Sequence, residues 1–283
     1  MTVGVLIAAI VVGTWNGNWF PSGRAEHRAH PDVEAATSAA AAKMLRGGLD
    51  AMDPAGTNDV ILCLHEMRGP RAASNLVAQI GRKGLRVAVV SGYRRRDRFD
   101  MQQDVIATTL PVAEAGWCVW KRQGAETPPR GYAFAAVVVD PSVTAAVYAV
   151  HLKSNYRAAS DEDKALNRAK RTHAVDQLIK QEKPRRGKGA RPVIVAGDFN
   201  ADKWRKEFAG EPLFAAFEKA GFDNPLERLP PEKRGTYPHK RYGDSALDYI
   251  MIRGLSTGES PKIVPNDALS DHYALFTVLN SEK

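Results

Sequence analysis

The sequence predicts an α+β fold in which stacked β-sheets are covered by helices. Short apolar runs rich in β-branched residues are typical of buried strands, and helical stretches separate only some of them, without strict strand–helix alternation. No repeat period and no Gly/Ser-rich linker divides the 283 residues, of which 44% are hydrophobic. We therefore expect one large core and a single domain over residues 1–283.

The first apolar run, residues 3–12, predicts a buried strand because most of its members are β-branched. It is far shorter than the roughly 20 residues of a membrane-spanning helix. No basic residue precedes it, so a complete signal peptide is not expected either. The remaining apolar runs predict strands at residues 60–64, 86–90, 105–110, 117–120, 132–139, 145–150, 192–196, 249–252 and 273–279.

Helices are predicted at residues 33–45, 71–82 and 161–183. The first is alanine-rich, the second follows a proline at a helix start, and the third is long and amphipathic. The expected apolar stripe of the third helix consists of Leu166, Ala169, Ala174, Leu178 and Ile179. The basic segment that follows, residues 183–191, predicts a surface loop.

The composition favours a polyanionic partner. Forty Lys and Arg against 32 Asp and Glu give a net charge of +8, and basic side chains bind phosphate groups with release of counterions. A charged fraction of 25% is ordinary for a globular protein, which argues against disordered, fibrous and membrane-embedded chains. A generally basic surface would give the same charge.

A basic cluster at residues 93–98 suits a phosphate backbone, and aromatic side chains suit exposed bases. The aromatic residues considered for this role are Trp19, Phe20, Trp117, Trp120 and Trp204. The alternative is a solvated loop together with core aromatics.

The two cysteines, Cys63 and Cys118, are too few for a disulfide scaffold. Both lie in apolar runs, which favours buried thiols in the core. The cellular compartment therefore stays open.

Polar residues of catalytic type lie at one end of nearly every apolar run. If the strands form sheets that share one rim, these side chains meet in one cleft, and together they suit metal-assisted hydrolysis. A single such residue would more often cap a turn. The residues are Asn16, Asn18, Glu66, His151, Asp198, Asn200, Asp248, Asp271 and His272.

These motifs resemble the endonuclease/exonuclease/phosphatase superfamily, which has the deoxyribonuclease I-like fold. The most specific segments are Gly197-Asp-Phe-Asn200, Leu247-Asp-Tyr-Ile250 and Ser270-Asp-His272, and the order from Thr14-Trp-Asn16 onward matches the superfamily. The resemblance implies a four-layer αββα sandwich, with two mostly antiparallel sheets face to face and helices outside.

The resemblance also implies roles for the polar residues. Glu66 would be the principal ligand of a catalytic Mg²⁺, with Mn²⁺ as a substitute, assisted by Asn16 and Asp271. Asp198 would orient or deprotonate the attacking water beside Asn200. His272, held by Asp248, would face the phosphate, and His151 would act near the leaving group.

Four further residues are expected to contact substrate, namely Asn18, Arg130, Tyr132 and Lys153. For Arg130 and Tyr132 the alternatives are a strand-start arginine and a core aromatic. Many relatives have Gln where this chain has His65, so no role is assigned to that position.

The favoured function is a Mg²⁺-dependent DNA endonuclease with low sequence specificity, acting as a monomer without stable membrane association. Abasic-site nucleases of the superfamily lack a histidine at the position of His151, which argues against a repair enzyme. The alternatives are a phosphoesterase of the same fold acting on lipid head groups or small phosphorylated molecules, and a non-catalytic nucleic-acid-binding module. Cytoplasmic and exported forms both remain open.

Overall fold

The computed structural model describes residues 9–22, 31–95, 98–122, 127–182, 191–239, 243–266 and 268–281. The strands are β1 (Ile10–Phe20), β2 (Asp59–Met67), β3 (Arg86–Val90), β4 (Arg94–Arg95), β5 (Arg98–Phe99), β6 (Gln103–Thr108), β7 (Val112–Val119), β8 (Gly131–Asp140), β9 (Val143–His151), β10 (Val193–Asp198), β11 (Asp248–Arg253), β12 (Leu255–Thr257), β13 (Lys262–Val264) and β14 (Ala274–Ser281). The helices are α1 (Pro31–Met52), α2 (Pro70–Ile80), α3 (Asp161–Gln181) and α4 (Pro212–Lys219).

The strands predicted within the described residues are confirmed, with ends that differ by a few residues. The predicted first strand is confirmed only for its last part, since residues 3–8 lie outside the described residues. The same holds for residues 183–190 of the predicted basic loop. Helix α4 and the two- or three-residue strands were not predicted, because such short segments carry little periodicity.

Two mixed sheets form the centre of the fold. One has the order β12-β14-β1-β2-β6-β3, with β13 also paired to β14, and the other has the order β11-β10-β9-β8-β7. Among the strands that the structure describes, neighbours are parallel only in the β1–β2 and β9–β10 pairs, so both sheets are mostly antiparallel. Strands β4 and β5 form a separate two-stranded hairpin.

The layers follow from side-chain alternation along the strands. In β1, Val12 belongs to the core between the two sheets, whereas Val11 packs into the core under α1 and α2. On the far side, Leu178 of α3 and Phe217 of α4 pack into the same core as the second sheet. Both faces of the central strands are thus buried, and each large apolar side chain removed from water contributes about 1.5–3 kcal/mol. This arrangement confirms the four-layer αββα sandwich.

The apolar stripe predicted for α3 is partly wrong. Leu166 is 38% exposed, whereas Arg171 is 1% exposed. Arg171 forms a buried ion pair with Glu211 and also donates to the main-chain oxygen of Lys153 at 2.7 Å. The helix thus holds the loop after β9 through a buried polar contact, which a hydrophobic pattern cannot reveal.

Among the described residues, no helix combines the length and apolarity needed to cross a bilayer.

The cysteine prediction is right for one residue and wrong for the other. Cys63 on β2 is buried, but Cys118 is exposed. Cys118 lies on β7, the edge strand of its sheet, where one flank has no neighbouring strand. An apolar run on an edge strand therefore does not imply burial.

Candidate active site

Polar side chains of both sheets meet at one edge of the sandwich. In the second sheet, Asp198 at the end of β10 pairs in register with His151 of β9 on one side and Asp248 of β11 on the other. The first sheet adds Asn16 and Glu66. The side-chain amide of Asn16 lies within hydrogen-bonding distance of both Asp198 and Glu66. The expected convergence at a shared rim is therefore present.

Asn16, Asn18 and Glu66 do not follow their strands, as the sequence suggested, but lie inside them. The β1–β2 register shifts between Asn16 and Phe20, and the β2–β6 register shifts between Leu64 and Met67. Asn18 and Glu66 have φ angles of 47° and 57° at these irregularities. Since bulges redirect side chains and often lie beside active sites, the irregular backbone explains how residues within a strand reach the cleft.

Asp198 is the central carboxylate of the cluster. Its Oδ2 accepts a hydrogen bond of 2.9 Å from Asn16 Nδ2, and its Oδ1 accepts one of 2.8 Å from the main-chain N–H of Asn200. Burial raises the pKa of Asp198 to about 7, although the nearby His272 opposes that rise. A carboxylate with such a pKa can accept a proton near neutral pH.

His272 is positioned by Asp248. The His272 Nδ1 lies 2.8 Å from Asp248 Oδ2, and its Nε2 lies 3.8 Å from Asp198 Oδ2. Burial lowers the pKa of His272, but Asp248 and Asp198 outweigh burial and raise it to about 10. The ring of Tyr237 packs edge-on at 5.0 Å. His272 is therefore an oriented imidazolium at neutral pH.

His151 has the opposite electrostatics. Its Nε2 lies 3.4 Å from Asp198 Oδ2 and 3.8 Å from Glu66 Oε1. Burial, and then the positive charge of Arg130, hold its pKa well below the usual range. Within the described residues its buried Nδ1 has no hydrogen-bond partner. The two imidazoles that flank Asp198 are thus one neutral and one charged.

Glu66 completes the acidic side of the cleft. Its Oε2 accepts the main-chain N–H of Trp19 at 3.1 Å, and its Oε1 lies 3.5 Å from Asn16 Nδ2. Burial raises the pKa of Glu66, while a hydrogen bond from Gln102 lowers it. Asn16 therefore bridges two buried carboxylates, those of Glu66 and Asp198, and burial disfavours the charge of both.

The donor set fits a divalent cation. Asp198, Asp248 and His272 carry ligand atoms within 4.8 Å of one another, and all three are buried. Because a hard ion such as Mg²⁺ prefers oxygen ligands, the carboxylate of Glu66 beside this cluster suits it better than the imidazole of His272. A cation there would also offset the buried negative charge. Asp271, which is exposed, lies close enough to raise the pKa of Glu66.

Three of the four residues predicted to contact substrate lie near this cluster. Arg130 has a φ of 62° and donates to Gln102 Oε1 at 2.9 Å, and its charge affects Glu66. The pKa of Lys153 is lowered by burial and then by Arg130. Asn18 donates its main-chain N–H to Asn16 Oδ1 at 3.0 Å.

Tyr132 is not brought to the cluster. Its hydroxyl lies 2.8 Å from Gln181 Oε1 on α3, and its ring packs against Trp120 and Tyr148. These contacts are those of a core aromatic. The substrate-binding interpretation of Tyr132 therefore receives no support from its position.

Several site residues were missed at the level of sequence. Gln102, which contacts both Glu66 and Arg130, and Tyr237, which contacts His272, follow no pattern that could identify them. Ser270 was visible in the Ser-Asp-His segment. Its hydroxyl donates to the main-chain oxygen of Asn16 at 2.7 Å and so ties β1 to the loop that carries His272.

His65, left without a role by its sequence, belongs to a buried network under the cleft. Its Nδ1 lies 2.9 Å from Asp104 Oδ1, and its Nε2 lies 3.2 Å from Thr14 Oγ1. Asp104 also accepts a hydrogen bond of 3.0 Å from the hydroxyl of Tyr93. Because His65 directly precedes Glu66, this network holds the strand on which Glu66 lies.

We expect the stability of the metal-free protein to fall as pH rises from 7.5 to 10. The folded-state pKa of His272 is about 10, against an ordinary value of 6.5. A group whose pKa is raised by folding stabilises the folded state fully at pH values below its unfolded-state pKa. This stabilisation is lost as the pH rises toward its folded-state pKa. Urea midpoints in EDTA should therefore decline with pH, and His272→Gln should flatten that decline. Equal slopes for both proteins would contradict this assignment.

Comparison with known families agrees with this fold. A family model described as Endonuclease/Exonuclease/phosphatase family matches residues 13–272, which include every residue of the cluster. No curated protein is significantly similar to the chain in sequence.

Structural neighbours show the same fold at low identity. An endonuclease/exonuclease/phosphatase from Beutenbergia cavernae DSM 12333 aligns with a TM-score of 0.66 and 15% identity, over 97% of this chain and 72% of that chain. TDP2 from D. rerio, complexed with a single strand DNA product, gives 0.63 and 14%, over 96% and 99%. The human Nocturnin catalytic domain with a bound sulfate anion gives 0.62 and 16%, over 97% and 94%.

Proposed function

Because the chain belongs to the endonuclease/exonuclease/phosphatase family, we propose that it is a Mg²⁺-dependent DNA endonuclease with low sequence specificity. The observation that carries the proposal is the pair of imidazoles beside Asp198. The Nε2 atoms of His151 and His272 lie 3.4 and 3.8 Å from Asp198 Oδ2. One carboxylate between a neutral and a charged imidazole suits hydrolysis of a phosphodiester.

Glu66 would be the principal ligand of the metal, assisted by Asn16 and Asp271. When bound, Mg²⁺ supplies neutralisation of charge on the scissile phosphate and on the leaving oxygen. Mn²⁺ has the same preference for oxygen ligands and could replace it.

Asp198 would orient the attacking water and accept its proton. Its pKa of about 7 makes Asp198 a stronger base than an ordinary carboxylate, while part of it is still ionised at neutral pH and can accept a proton. The main-chain N–H of Asn200 holds one oxygen, and Asn200 Nδ2 donates to the main-chain oxygen of Leu152 at 3.2 Å. The turn that presents Asp198 is therefore fixed before substrate arrives.

His272 would donate from Nε2 to a phosphate oxygen, since Asp248 holds its other nitrogen. Its imidazolium form places a positive charge where the transition state gains negative charge. His151 is held neutral, so its expected contribution is a hydrogen bond to the phosphate or the leaving oxygen. Arg130 and Lys153 would bind flanking phosphates as cations.

Three observations support DNA as the substrate. The chain carries a net charge of +8. Arg94, Arg95 and Arg98 are exposed on the β4–β5 hairpin, which ends three residues before the Gln102 that bonds to Glu66. The structural neighbour from D. rerio was determined with a single strand DNA product. Cationic and aromatic side chains near a phosphodiesterase cleft suit a polynucleotide better than a small phosphate ester.

The test is cleavage of supercoiled plasmid with Mg²⁺. We expect nicking that EDTA abolishes and that Mg²⁺ restores, because the buried carboxylates need a cation. Mn²⁺ should restore nicking as well. Gel electrophoresis of nicked and linear forms over time gives the rate.

Other outcomes would change the substrate or the class. Metal-dependent hydrolysis of a small phosphodiester or phosphomonoester panel without plasmid nicking would keep the mechanism and contradict DNA as the substrate. Salt-sensitive DNA binding without hydrolysis in either assay would favour a non-catalytic binding module.

A further inference from the structure

We propose that Trp117 forms a stacking platform for one base of a single-stranded nucleic acid, outside the metal cleft. The platform comprises Trp117 of β7 together with Arg94, Arg95 and Arg98 of the β4–β5 hairpin, which follows Tyr93 directly. The inference rests on the proposed function, since it concerns how the same substrate would be held away from the reacting phosphate.

Trp117 is exposed and yet held in place. Its side chain is 45% exposed, while its ring rests on Gly92, where an added Cβ would lie 2.8 Å from the ring. Tyr93 packs against it edge-on at 5.9 Å and 88°. Tyr93 is itself buried and bonded to Asp104. An aromatic surface with a fixed orientation loses little entropy when a base stacks on it.

Trp117 lies two residues from the end of β7 that reaches the rim of the active site. Trp117 is near the end of β7, where Val119 pairs with Gly131 of β8. The next residue back, Arg130, donates to Gln102, and Gln102 bonds to Glu66. A strand of nucleic acid bound at the metal cleft can therefore continue past Arg130 toward Trp117.

The β4–β5 hairpin, which directly follows the Tyr93 that contacts Trp117, carries charge that suits a phosphate backbone. Its arginines Arg94, Arg95 and Arg98 are exposed. The adjacent carboxylate of Asp100 accepts the main-chain N–H of Gln102. Arginine for the phosphates and an aromatic ring for the base are the two elements of single-strand binding.

Three of the other aromatics singled out from the sequence, Phe20, Trp120 and Trp204, do not offer such a surface. Trp120 and Phe20 are buried. Trp204 is 37% exposed, but the guanidinium of Arg234 covers its ring at 4.4 Å. Trp204 is therefore a matched control for Trp117, with a similar exposure and a ring face that is already occupied.

A base within a duplex is already stacked on both sides, so Trp117 can stack only a base that is unpaired. The experiment is fluorescence anisotropy in EDTA with a labelled oligothymidine and with a blunt duplex of equal length. We expect Trp117→Ala to weaken binding of the oligothymidine by about 5- to 100-fold, the range measured for loss of one stacked base. Trp117→Phe should stay within about 3-fold of the original protein, and Trp204→Ala should not change binding.

Unchanged oligothymidine binding by Trp117→Ala would overturn the platform, and so would an equal loss in Trp204→Ala. An equal loss for the blunt duplex would overturn the single-strand assignment. Thermal unfolding of each variant verifies that the fold is intact. Hydrolysis of a small phosphodiester by the original protein tests the proposed chemistry separately, so failure of the platform is distinguishable from failure of the proposed function.

Discussion

Asp198→Asn is expected to lower the rate of phosphodiester hydrolysis by about 1,000-fold, within the range for loss of a general base. The amide keeps the shape of the side chain but accepts no proton from water and binds a cation weakly. Single-turnover cleavage of the oligonucleotide, at saturating Mg²⁺, measures this loss.

The same substitution should make the metal-free protein more stable at pH 8. Burial raises the pKa of Asp198, so its ionised form is less favourable in the folded state than in the unfolded chain. The amide replaces only one of the two acceptor oxygens of Asp198, which costs about 1–2 kcal/mol. Because removal of the buried charge outweighs this loss, the free energy of unfolding should still rise by on the order of 1–3 kcal/mol. A substitution that lowers activity and raises stability is expected at a residue whose role is catalytic.

Asp202→Asn is the matched control. Asp202 is also buried, and each of its two oxygens accepts a main-chain N–H group, from Trp204 at 2.9 Å and from Ala246 at 2.8 Å. The amide can replace only one of these acceptors, so we expect a loss of about 1–2 kcal/mol in stability with activity retained. A stable, active Asp198→Asn protein would contradict the role given to Asp198.

Gly197→Ala is expected to lower the free energy of unfolding by about 2–5 kcal/mol, from overpacking together with backbone strain. Gly197 has a φ of 153°, and an added Cβ would lie 1.9 Å from the main-chain oxygen of Val150 and 2.8 Å from the ring of His65. The first contact is with a paired strand, which cannot move away without breaking the β9–β10 ladder. Urea denaturation followed by circular dichroism measures the effect.

Gly116→Ala provides the comparison for this prediction. An added Cβ at Gly116 meets no atom within 4 Å, so its stability should change by less than about 1 kcal/mol. A Gly197→Ala protein as stable as Gly116→Ala would show that β10 can shift. In that case we would still expect lower activity, because Asp198 follows Gly197 directly.

The layered fold could be predicted because the central strands are buried on both faces. Continuous apolar runs such as residues 60–64 and 192–196 fit only strands covered on two sides. The exposed edge strand β7 has a similar composition, which explains why Cys118 was wrongly expected to be buried. The local sequence shows that a strand is hydrophobic, but it does not show whether a neighbouring strand covers that strand.

The sequence by itself determined the layered architecture and the polar residues at the strand ends, because both depend on short-range patterns. The family resemblance then gave each polar residue an expected role. Only the tertiary structure decided that Asn16 bridges Glu66 and Asp198, and that Tyr132 contacts α3 instead of the cleft. It also decided that one imidazole is neutral and the other charged. These features arise from strand register, bulges and burial, which depend on contacts between segments far apart in the chain.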